Sequence, residues 1–346
     1  MSRRLTLGKL RGLQQISDAH GIFAMCAMDH RESMQRLINA AHPSQVTTEV
    51  LAQYKRDLTE ALAPEATAVL LDPIYGAAQA STFCALADGV GLLVSLEETG
   101  YEHNAQSRLT TLLEKWSVQK IKNMGASAVK ILLYYRPDLA ENAARQQSVV
   151  RRVAEDCARA DIPFLLEPMA YPFTEVERDP AYFARRKFTL AADTARDLTA
   201  SGVDVLIEEF PIEVRYDRPE FLGRIACEAL TEASQAPWIL VSTGVTFDEF
   251  AGQVRMACQA GASGFLGGRA IWEEAMHLPA ARERRHWLAT VGADRVRRLH
   301  DLAGEHGRPW WVKCAASAAE LTHVGPINID RFDVTGRHRD DQCVEA

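Results

Sequence analysis

Eight short apolar runs alternate with longer amphipathic stretches, and this alternation constrains the fold more than any other feature of the sequence. Most runs are almost continuously apolar, which is typical of parallel strands covered by helices on both faces. The runs are 22–28, 66–71, 91–96, 128–135, 163–167, 203–208, 238–242 and 264–267. They predict an α/β fold, a (β/α)8 TIM barrel, as one domain over residues 1–346. A doubly wound open sheet is the alternative, but no GxGxxG motif follows the first run.

The stretches between the runs have the periodicity of amphipathic helices. The predicted helices are 49–62, 110–124, 147–160, 188–201 and 246–260. Thr246 and Glu249 have the spacing of a capping box, and Gly125, Gly202 and Gly261 lie where helix C-caps are expected. A further helix is predicted within residues 1–18 and a polar extension over 325–346, and neither is expected to carry chemistry.

The composition makes several classes of partner improbable. The 346 residues include 39 Lys and Arg and 46 Asp and Glu, a net charge of −7, which offers no uniform attraction to nucleic acid or anionic lipid. No run approaches the roughly 20 apolar residues that a membrane span requires. The seven cysteines are scattered without a CxxC motif, which argues against a disulfide framework. We therefore expect a cytoplasmic homo-oligomer that binds a small molecule and neither nucleic acid nor membrane.

Lys130 is the most unusual residue of the predicted strands, because it interrupts an otherwise apolar run. A lysine in a buried strand loses hydration, so it must pair with a carboxylate or lose its proton. Both states are useful in catalysis, although a structural ion pair inside the barrel is the alternative. We therefore predict that Lys130 is catalytic.

Charged residues cluster where the predicted strands end, which is where TIM barrels carry their active sites. They include Asp29 and Arg31 after strand one, Glu97 after strand three, Glu167 after strand five, and Glu208 and Glu209 at the end of strand six. We predict Asp29, Glu167 and Glu209 as catalytic residues. Arg31 and Glu97 are predicted to bind substrate. The structural alternatives are a helix N-cap for Asp29 and ion pairs for Glu167 and Glu209.

Small residues and an arginine follow the last two strands. Strand seven ends in Ser242-Thr243-Gly244, and strand eight ends in Gly267-Gly268-Arg269. Small residues let backbone N–H groups approach an anion, and an arginine completes the phosphate site that TIM barrels commonly have here. We predict that Ser242, Gly244, Gly268 and Arg269 bind the anionic end of a substrate. Close packing of a helix on the sheet is the alternative explanation for the glycines.

Seven blocks of sequence carry a resemblance to known enzymes. They are GIFAMCAMDHRE at 21–32, LLDPIYG at 70–76, EETGY at 97–101, VKILLYY at 129–135, LLE at 165–167, VSTGV at 241–245 and GASGFLGGRAIW at 261–272. Together they resemble the class I aldolases that include tagatose 1,6-bisphosphate aldolase and 6-deoxy-6-sulfofructose 1-phosphate aldolase. The resemblance implies a (β/α)8 barrel that reversibly cleaves a phosphorylated ketose into dihydroxyacetone phosphate and an aldehyde.

The same resemblance implies roles for individual residues. Asp29 corresponds to the family's strand-one carboxylate, Lys130 to its auxiliary lysine and Glu167 to its proton-transferring glutamate. The positions that match the family's phosphate or sulfonate contacts are Ser242, Gly268 and Arg269. One departure is decisive for mechanism: the family's Schiff-base lysine lies in a block Leu-Lys-Val-Glu, and the matching block here is Leu206-Ile207-Glu208-Glu209. Isoleucine cannot form an imine.

Three explanations of Ile207 stay open. Lys130 could form the imine instead, since the transaldolases carry their nucleophilic lysine on strand four. A divalent metal, Mg²⁺ or Mn²⁺, could replace the imine as electron sink, with Glu97, Glu167 and Glu208 as candidate ligands. Cleavage could also be lost, which would leave an isomerase, an epimerase or a sugar-phosphate sensor. We expect an aldolase-like lyase for a phosphorylated or sulfonated ketose or sugar acid, and we favour Lys130 over a metal because a buried amine is the more specific feature.

Overall fold

The strands form a closed parallel barrel in a computed structural model that describes residues 5–82, 85–99, 108–216 and 219–314. They run in chain order around the barrel, and β8 pairs with β1 to close it. The strands are β1 Phe23–Ala27, β2 Ala68–Leu71, β3 Gly91–Ser95, β4 Ala128–Tyr134, β5 Phe164–Met169, β6 Val205–Glu208, β7 Trp238–Val241 and β8 Gly264–Gly267. The predicted (β/α)8 barrel and its eight strand positions are therefore confirmed.

Helices connect the strands and cover the outside of the barrel. The α-helices of the described residues are α1 Leu7–Gln15, α2 Glu32–Ile38, α3 Thr48–Leu62, α4 Ala77–Thr82, α5 Val118–Asn123, α6 Ala140–Arg159, α7 Pro180–Thr199, α8 Arg224–Ala233, α9 Phe247–Gln259, α10 Arg269–Met276, α11 Ala281–Trp287 and α12 Ala293–His306. The capping box of Thr246 and Glu249 is present at the start of α9. Gly125, Gly202 and Gly261 all have positive φ, as helix C-caps require.

The predicted helix 110–124 is wrong in its first half. Only α5 is helical there, and Ser117 caps it by accepting a hydrogen bond from the Lys120 amide. The preceding segment instead pairs with the chain beyond β3, where Leu113 N–H donates to the Leu96 carbonyl at 2.9 Å and Glu98 N–H donates to Thr111 at 2.8 Å. These backbone bonds compete directly with helix formation.

Two apolar layers result from the alternation of side chains along the strands. Met25, Leu165, Ile207 and Leu266 belong to an inner cluster, whereas their strand neighbours pack in a second cluster beneath the helices. Leu13 of α1 joins the inner cluster and is fully buried. Gly12 of α1 lies against Ser127 and Pro163, directly before β4 and β5, so this helix covers the N-terminal end of the barrel. The opposite end, where the strands finish, is the end at which TIM barrels carry their active sites.

Two further sequence expectations concern cysteines and membrane spans. The described residues hold five free, buried cysteines, Cys26, Cys157, Cys227, Cys258 and Cys314. In the same ranges, no helix combines the length and the apolar character needed to cross a bilayer. The predicted polar extension over 325–346 lies outside the described residues.

Substitution of Gly264 tests how closely β8 packs against β1 where the barrel closes. Its φ is +134°, and a Cβ there would lie 1.9 Å from the carbonyl oxygen of Phe23 on β1. We predict that Gly264→Ala lowers the free energy of unfolding by about 3 kcal/mol or more, because backbone strain and overpacking each cost about 1–3 kcal/mol. Urea denaturation measures this, with Gly252→Ala as the matched control, since no atom lies within 4 Å of its added Cβ. Equal stability of the two variants would contradict the prediction.

Candidate active site

A cavity of about 210 Å³ opens where the strands end. Among the charged residues predicted for the site, Asp29, Arg31, Glu97, Lys130 and Glu167 line it. The strand register explains why they meet. Lys130 pairs with Ser95 on β3 and with Leu165 on β5, so Glu97 and Glu167, two residues further on, project from the same inner face on either side of it.

Three carboxylates surround the Lys130 ammonium. Its Nζ lies 3.0 Å from Asp29 Oδ2, 3.0 Å from Glu97 Oε1 and 2.9 Å from Glu167 Oε2. Lys130 is only 1% exposed. The ammonium has three N–H donors, and the three carboxylates can accept all of them. The sequence-based expectation that buried Lys130 finds carboxylate partners is thus met, and we refer to these four side chains as the lysine cage.

The lysine cage separates the proton affinities of its members. Burial acts to lower the pKa of Lys130, but the three carboxylates outweigh it and raise that pKa well above its usual range. Burial acts to raise the pKa of Asp29, but the charge of Lys130 prevails and lowers it to about 2. For Glu167 the effect of burial is the larger, so its pKa is raised. Carboxyl groups whose pKa values are driven apart are suited to different acid–base roles.

The raised pKa of Lys130 weighs against our preference for it as the imine-forming residue. An amine must be neutral to attack a carbonyl carbon, and the lysine cage favours the ammonium. The arrangement therefore favours the ammonium form of Lys130 beside the cavity.

The catalytic role of Glu209 stays a prediction, because the structure places this residue away from the lining of the main cavity. Neither Glu208 nor Glu209 is among the residues lining the 210 Å³ cavity, and Ile207 is fully buried in the inner apolar cluster. Glu209 instead lies 3.9 Å from Lys187 Nζ on α7. The Oε1 of Glu208 accepts a hydrogen bond from the Glu209 amide at 3.1 Å, and its Oε2 has no partner. Burial, followed by the charge of Glu209, raises the pKa of Glu208 well above its usual range.

The residues present do not fit a hard-cation site. Glu97 and Glu167 hold the ammonium of Lys130, while Glu208 is absent from the cavity lining. Within the described parts of the chain, no group of three or more His, Cys, Asp or Glu side chains is placed to hold a metal ion. We therefore derive no step through Mg²⁺ or Mn²⁺, and metal binding stays a prediction.

The residues predicted to bind an anion divide between two neighbouring cavities. Ser242 and Gly268 line the 210 Å³ cavity, and the Gly268 N–H donates to Ser242 Oγ at 2.9 Å. Gly244 and Arg269 line a second cavity of about 770 Å³ beside it. Arg269 is still close enough for its charge to contribute to lowering the pKa of His30, which lines the first cavity. It lies at the rim between the two.

Sequence reasoning assigned no role to His30. Its ring packs edge-on against Trp272, with centroids 5.1 Å apart, and its Nδ1 is buried without a hydrogen-bond partner. Burial lowers the pKa of His30 to about 4 although Asp29 acts to raise it, so the imidazole is neutral near pH 7. Its position directly after Asp29 at a strand end was the signal available in the sequence. Arg31 is also buried and donates to the Glu97 carbonyl, which holds the Glu97 backbone at the cavity.

Comparisons with known proteins define the family. The profile described as DeoC/LacD family aldolase matches residues 23–274. Tagatose 1,6-diphosphate aldolase from Listeria monocytogenes is 33% identical over 327 residues, covering 90% of this chain and 96% of the relative. This chain belongs to the DeoC/LacD aldolase family. Tagatose 1,6-diphosphate aldolase 2 from Streptococcus agalactiae is 31% identical over 323 residues, covering 88% of this chain and 98% of that relative.

Solved structures agree with the fold of this DeoC/LacD family member. An archaeal fructose 1,6-bisphosphate aldolase has a TM-score of 0.55 at 19% identity, covering 84% of this chain and 97% of that one. Fructose-bisphosphate aldolase from Plasmodium falciparum has a TM-score of 0.61 at 12% identity, covering 89% of this chain and 98% of that one. At such identities the likeness concerns the fold alone.

The lysine cage of this family member predicts a pH-dependent loss of stability. Lys130→Met leaves buried Glu97 and the partly buried Asp29 and Glu167 without this cation, and breaking a buried ion pair costs about 3–5 kcal/mol. Without the ammonium the carboxylates bind protons more tightly in the folded state, so the loss should be larger at about pH 8 than at about pH 5. Urea denaturation at both pH values measures it, and Lys115→Met at an exposed lysine is the control. A Lys130→Met protein as stable as wild type at the higher pH would contradict the cage.

Substitution of Glu208 is expected to have the opposite effect on stability at higher pH. Because its pKa is raised on folding, its proton stabilises the folded state at acid pH, and that contribution is lost as pH rises above the value in the unfolded chain. Glu208→Gln should therefore be more stable than wild type at about pH 8, and its melting temperature should depend less on pH. Thermal denaturation across the pH range tests this, with exposed Glu114→Gln as the control. A destabilised Glu208→Gln protein at the higher pH would disprove the assignment.

Proposed function

We propose that this protein is an aldolase-type lyase that reversibly makes and breaks a carbon–carbon bond in a phosphorylated or sulfonated ketose or sugar acid, without an imine on β6. The lysine cage is the observation that carries the proposal, because it combines a fixed cation with a carboxyl group of raised pKa beside one cavity. The relatives named tagatose 1,6-diphosphate aldolase support a phosphorylated ketose as the substrate class.

We infer that Ile207 stands where the resembled aldolases have their Schiff-base lysine. Its side chain is apolar and fully buried in the inner cluster. In the described residues, Lys130 is the lysine that lines the cavity, and the lysine cage keeps it charged. Carbonyl activation at this site therefore relies on charge rather than on a covalent bond to an amine.

Lys130 supplies the positive charge in this mechanism. When the carbon–carbon bond breaks, its electron pair stays with the fragment that carries the carbonyl, and negative charge accumulates on that carbonyl oxygen as an enolate forms. A preorganised cation in a buried site stabilises such charge strongly. Asp29, with its pKa lowered to about 2, remains ionised and holds the ammonium in position.

Glu167 transfers the proton. As a base it takes the proton of the hydroxyl group on the carbon that becomes the aldehyde, and after cleavage it returns that proton to the carbon of the enolate. The proton balance therefore closes within one turnover. A raised pKa suits this task, because general acid–base catalysis is most effective when the pKa approaches the working pH.

The anionic end of the substrate is proposed to bind near Ser242 and Gly268, with Arg269 at the rim. Ser242 and Gly268 lie beside the cavity, and the charge of Arg269 reaches His30 in the cavity wall. In the proposed orientation the anion binds on the β7–β8 side, and the reacting carbons lie toward the lysine cage.

One observation also favours an isomerase or epimerase. Removing a proton next to a carbonyl needs a base and a stabilising cation, and Glu167 and Lys130 supply both without an imine. Such an enzyme would form the same enolate and return the proton to a different position, with no carbon–carbon cleavage.

The proposal is tested by incubating the protein with dihydroxyacetone phosphate in deuterated water and measuring proton exchange and condensation. We expect wild type to exchange a carbon-bound proton of this probe and to condense it with an aldehyde, with no protein adduct after borohydride treatment. Lys130→Met and Glu167→Gln should lose about 100-fold or more of the exchange rate, since general acid–base catalysis contributes about 10²–10⁴-fold. Ile207→Lys should gain an adduct at residue 207, and Glu114→Gln is the exposed control.

Each other outcome identifies an alternative. An adduct on wild-type Lys130 would contradict our mechanism and support an imine at that residue. Loss of activity with chelator and recovery with Mn²⁺ would support a metal. Proton exchange without condensation would support an isomerase or epimerase. Binding of dihydroxyacetone phosphate without proton exchange would support a sugar-phosphate sensor.

A further inference from the structure

A second buried lysine lies behind the candidate active site. Lys55 belongs to α3 and is 1% exposed. Its Nζ forms an ion pair with the fully buried Asp72, the residue directly after β2, and donates to the Met28 carbonyl at 2.7 Å. Neither Lys55 nor Asp72 is among the described residues that line the 210 Å³ cavity. Lys55 therefore ties the ends of β1 and β2 to α3 from outside the cavity.

Asp72 has a fixed orientation at the end of β2. Its Oδ1 accepts hydrogen bonds from the amides of Ile74 at 2.9 Å and Tyr75 at 2.7 Å, while its Oδ2 binds Lys55. The carboxylate is thus held by the turn that follows β2. Because it cannot rotate without losing these bonds, it fixes the position of the Lys55 ammonium beside Met28.

The end of β1 depends on side chains for its carbonyl partners. β1 pairs with β2 as far as Ala27. Trp272 Nε1 of α10 donates to the Ala27 carbonyl at 3.0 Å, and Lys55 Nζ of α3 donates to the Met28 carbonyl. A buried carbonyl that loses its partner is costly, so these two contacts fix the backbone at residues 27 and 28. Asp29 is the next residue of the chain.

The placement of Asp29 matters because this residue faces two groups of the site. Its Oδ2 lies 3.0 Å from Lys130 Nζ, and its Oδ1 lies 3.7 Å from His30 Nδ1. Burial acts to raise the pKa of Asp29, but the charge of Lys130 prevails in lowering it, and Lys55 adds a smaller effect of the same sign. A shift of the backbone at Met28 would therefore move a carboxylate on which the lysine cage depends.

A similar buried pair at the other end of the barrel provides a comparison. Lys9 of α1 lies 2.7 Å from Asp204, which directly precedes β6 and accepts a hydrogen bond from the Phe164 amide at 2.9 Å. Both pairs join a helical lysine to an aspartate that lies next to a strand and also binds a backbone amide. The Lys9 pair lies where the strands begin, and the Lys55 pair lies beside Asp29. An effect on the site that only the Lys55 pair produces is therefore an effect of its position, not of losing a buried ion pair.

We propose that Lys55 is a positioning residue of the candidate active site: together with Asp72 it fixes the end of β1 and so holds Asp29 against Lys130. Lys55 acts through Asp29 and does not touch the substrate. Where it concerns turnover, this inference rests on the proposed function, because it assumes that the lysine cage is catalytic. The effect of Lys55 on the backbone at Met28 is independent of any reaction.

The experiment uses paired variants that remove both charges of an ion pair. Lys55→Met alone leaves Asp72 buried and unpaired, so it is combined with Asp72→Asn, whose side-chain oxygen can still accept from the amides of the following turn. Lys9→Met with Asp204→Asn is the matched control. We expect the Lys55 pair variant to lose about tenfold or more of kcat for proton exchange on dihydroxyacetone phosphate, with a smaller change in KM, since a misplacement of about 1 Å can cost about 100-fold. The control should keep the wild-type rate.

Asp29→Asn distinguishes positioning from general damage to the fold. If Lys55 acts through Asp29, most of its effect should disappear once Asp29 is already substituted, because residues that act as a unit are not additive. We expect Lys55→Met and Asp72→Asn, added to Asp29→Asn, to lower kcat by less than about threefold further. Losses that multiply, an unchanged kcat in the Lys55 pair variant, or an equal loss in the Lys9 control would overturn the inference.

Hydrogen exchange at the Met28 amide tests the backbone contact without any reaction. This amide donates to the Leu70 carbonyl at 2.8 Å. We expect it to exchange about tenfold or more faster in the Lys55 pair variant than in the Lys9 control, because a charge-assisted hydrogen bond no longer opposes local opening. An equal rate would contradict the positioning role. If wild type catalyses no proton exchange on dihydroxyacetone phosphate, the proposed function fails, and the rate at the Met28 amide alone decides the inference.

Discussion

The contact between the Lys130 ammonium and three carboxylates is the interaction on which the rest of the site depends. Its members come from β4 and from the ends of β1, β3 and β5, so it forms only when the barrel is closed in the observed register. Charges held largely away from water are costly apart and acceptable together. The same contact sets the charge of Lys130, keeps Asp29 ionised and leaves Glu167 with a raised pKa.

The end of β6 contributes none of the described residues that line the main cavity. Ile207 extends the inner layer of the barrel, while Glu208 and Glu209 lie outside the lining of the main cavity. The charged groups of the site therefore lie on the β1, β3, β4 and β5 side, and β6 adds no lining residue. Such a division favours enolate chemistry stabilised by charge. Ser242 and Gly268, after β7 and β8, line the same cavity and are the groups proposed to bind the anionic end of the substrate.

The sequence predicted the barrel because buried parallel strands are apolar throughout and the units repeat regularly. It predicted that Lys130 meets carboxylates for a similar reason, since a lysine in such a strand needs a partner. It failed for residues 110–117, where pairing with the chain beyond β3 replaces the helix. Helix periodicity reports only the local preference of a segment. The strand-like segment beyond β3, which competes for these backbone hydrogen bonds, lies more than ten residues away along the chain.

Side-chain direction at strand ends was the harder problem. Alternation placed Glu209 with Ile207, yet Glu209 is not among the cavity residues and approaches Lys187. The central claim, that Lys130 stays charged, is tested most directly by nuclear magnetic resonance of ¹³Cε-labelled lysines, with the Lys130 signal assigned by its absence in Lys130→Arg. We predict no titration of that signal below about pH 10, the ordinary range of a lysine. A midpoint near neutral pH would contradict the account and restore Lys130 as a nucleophile.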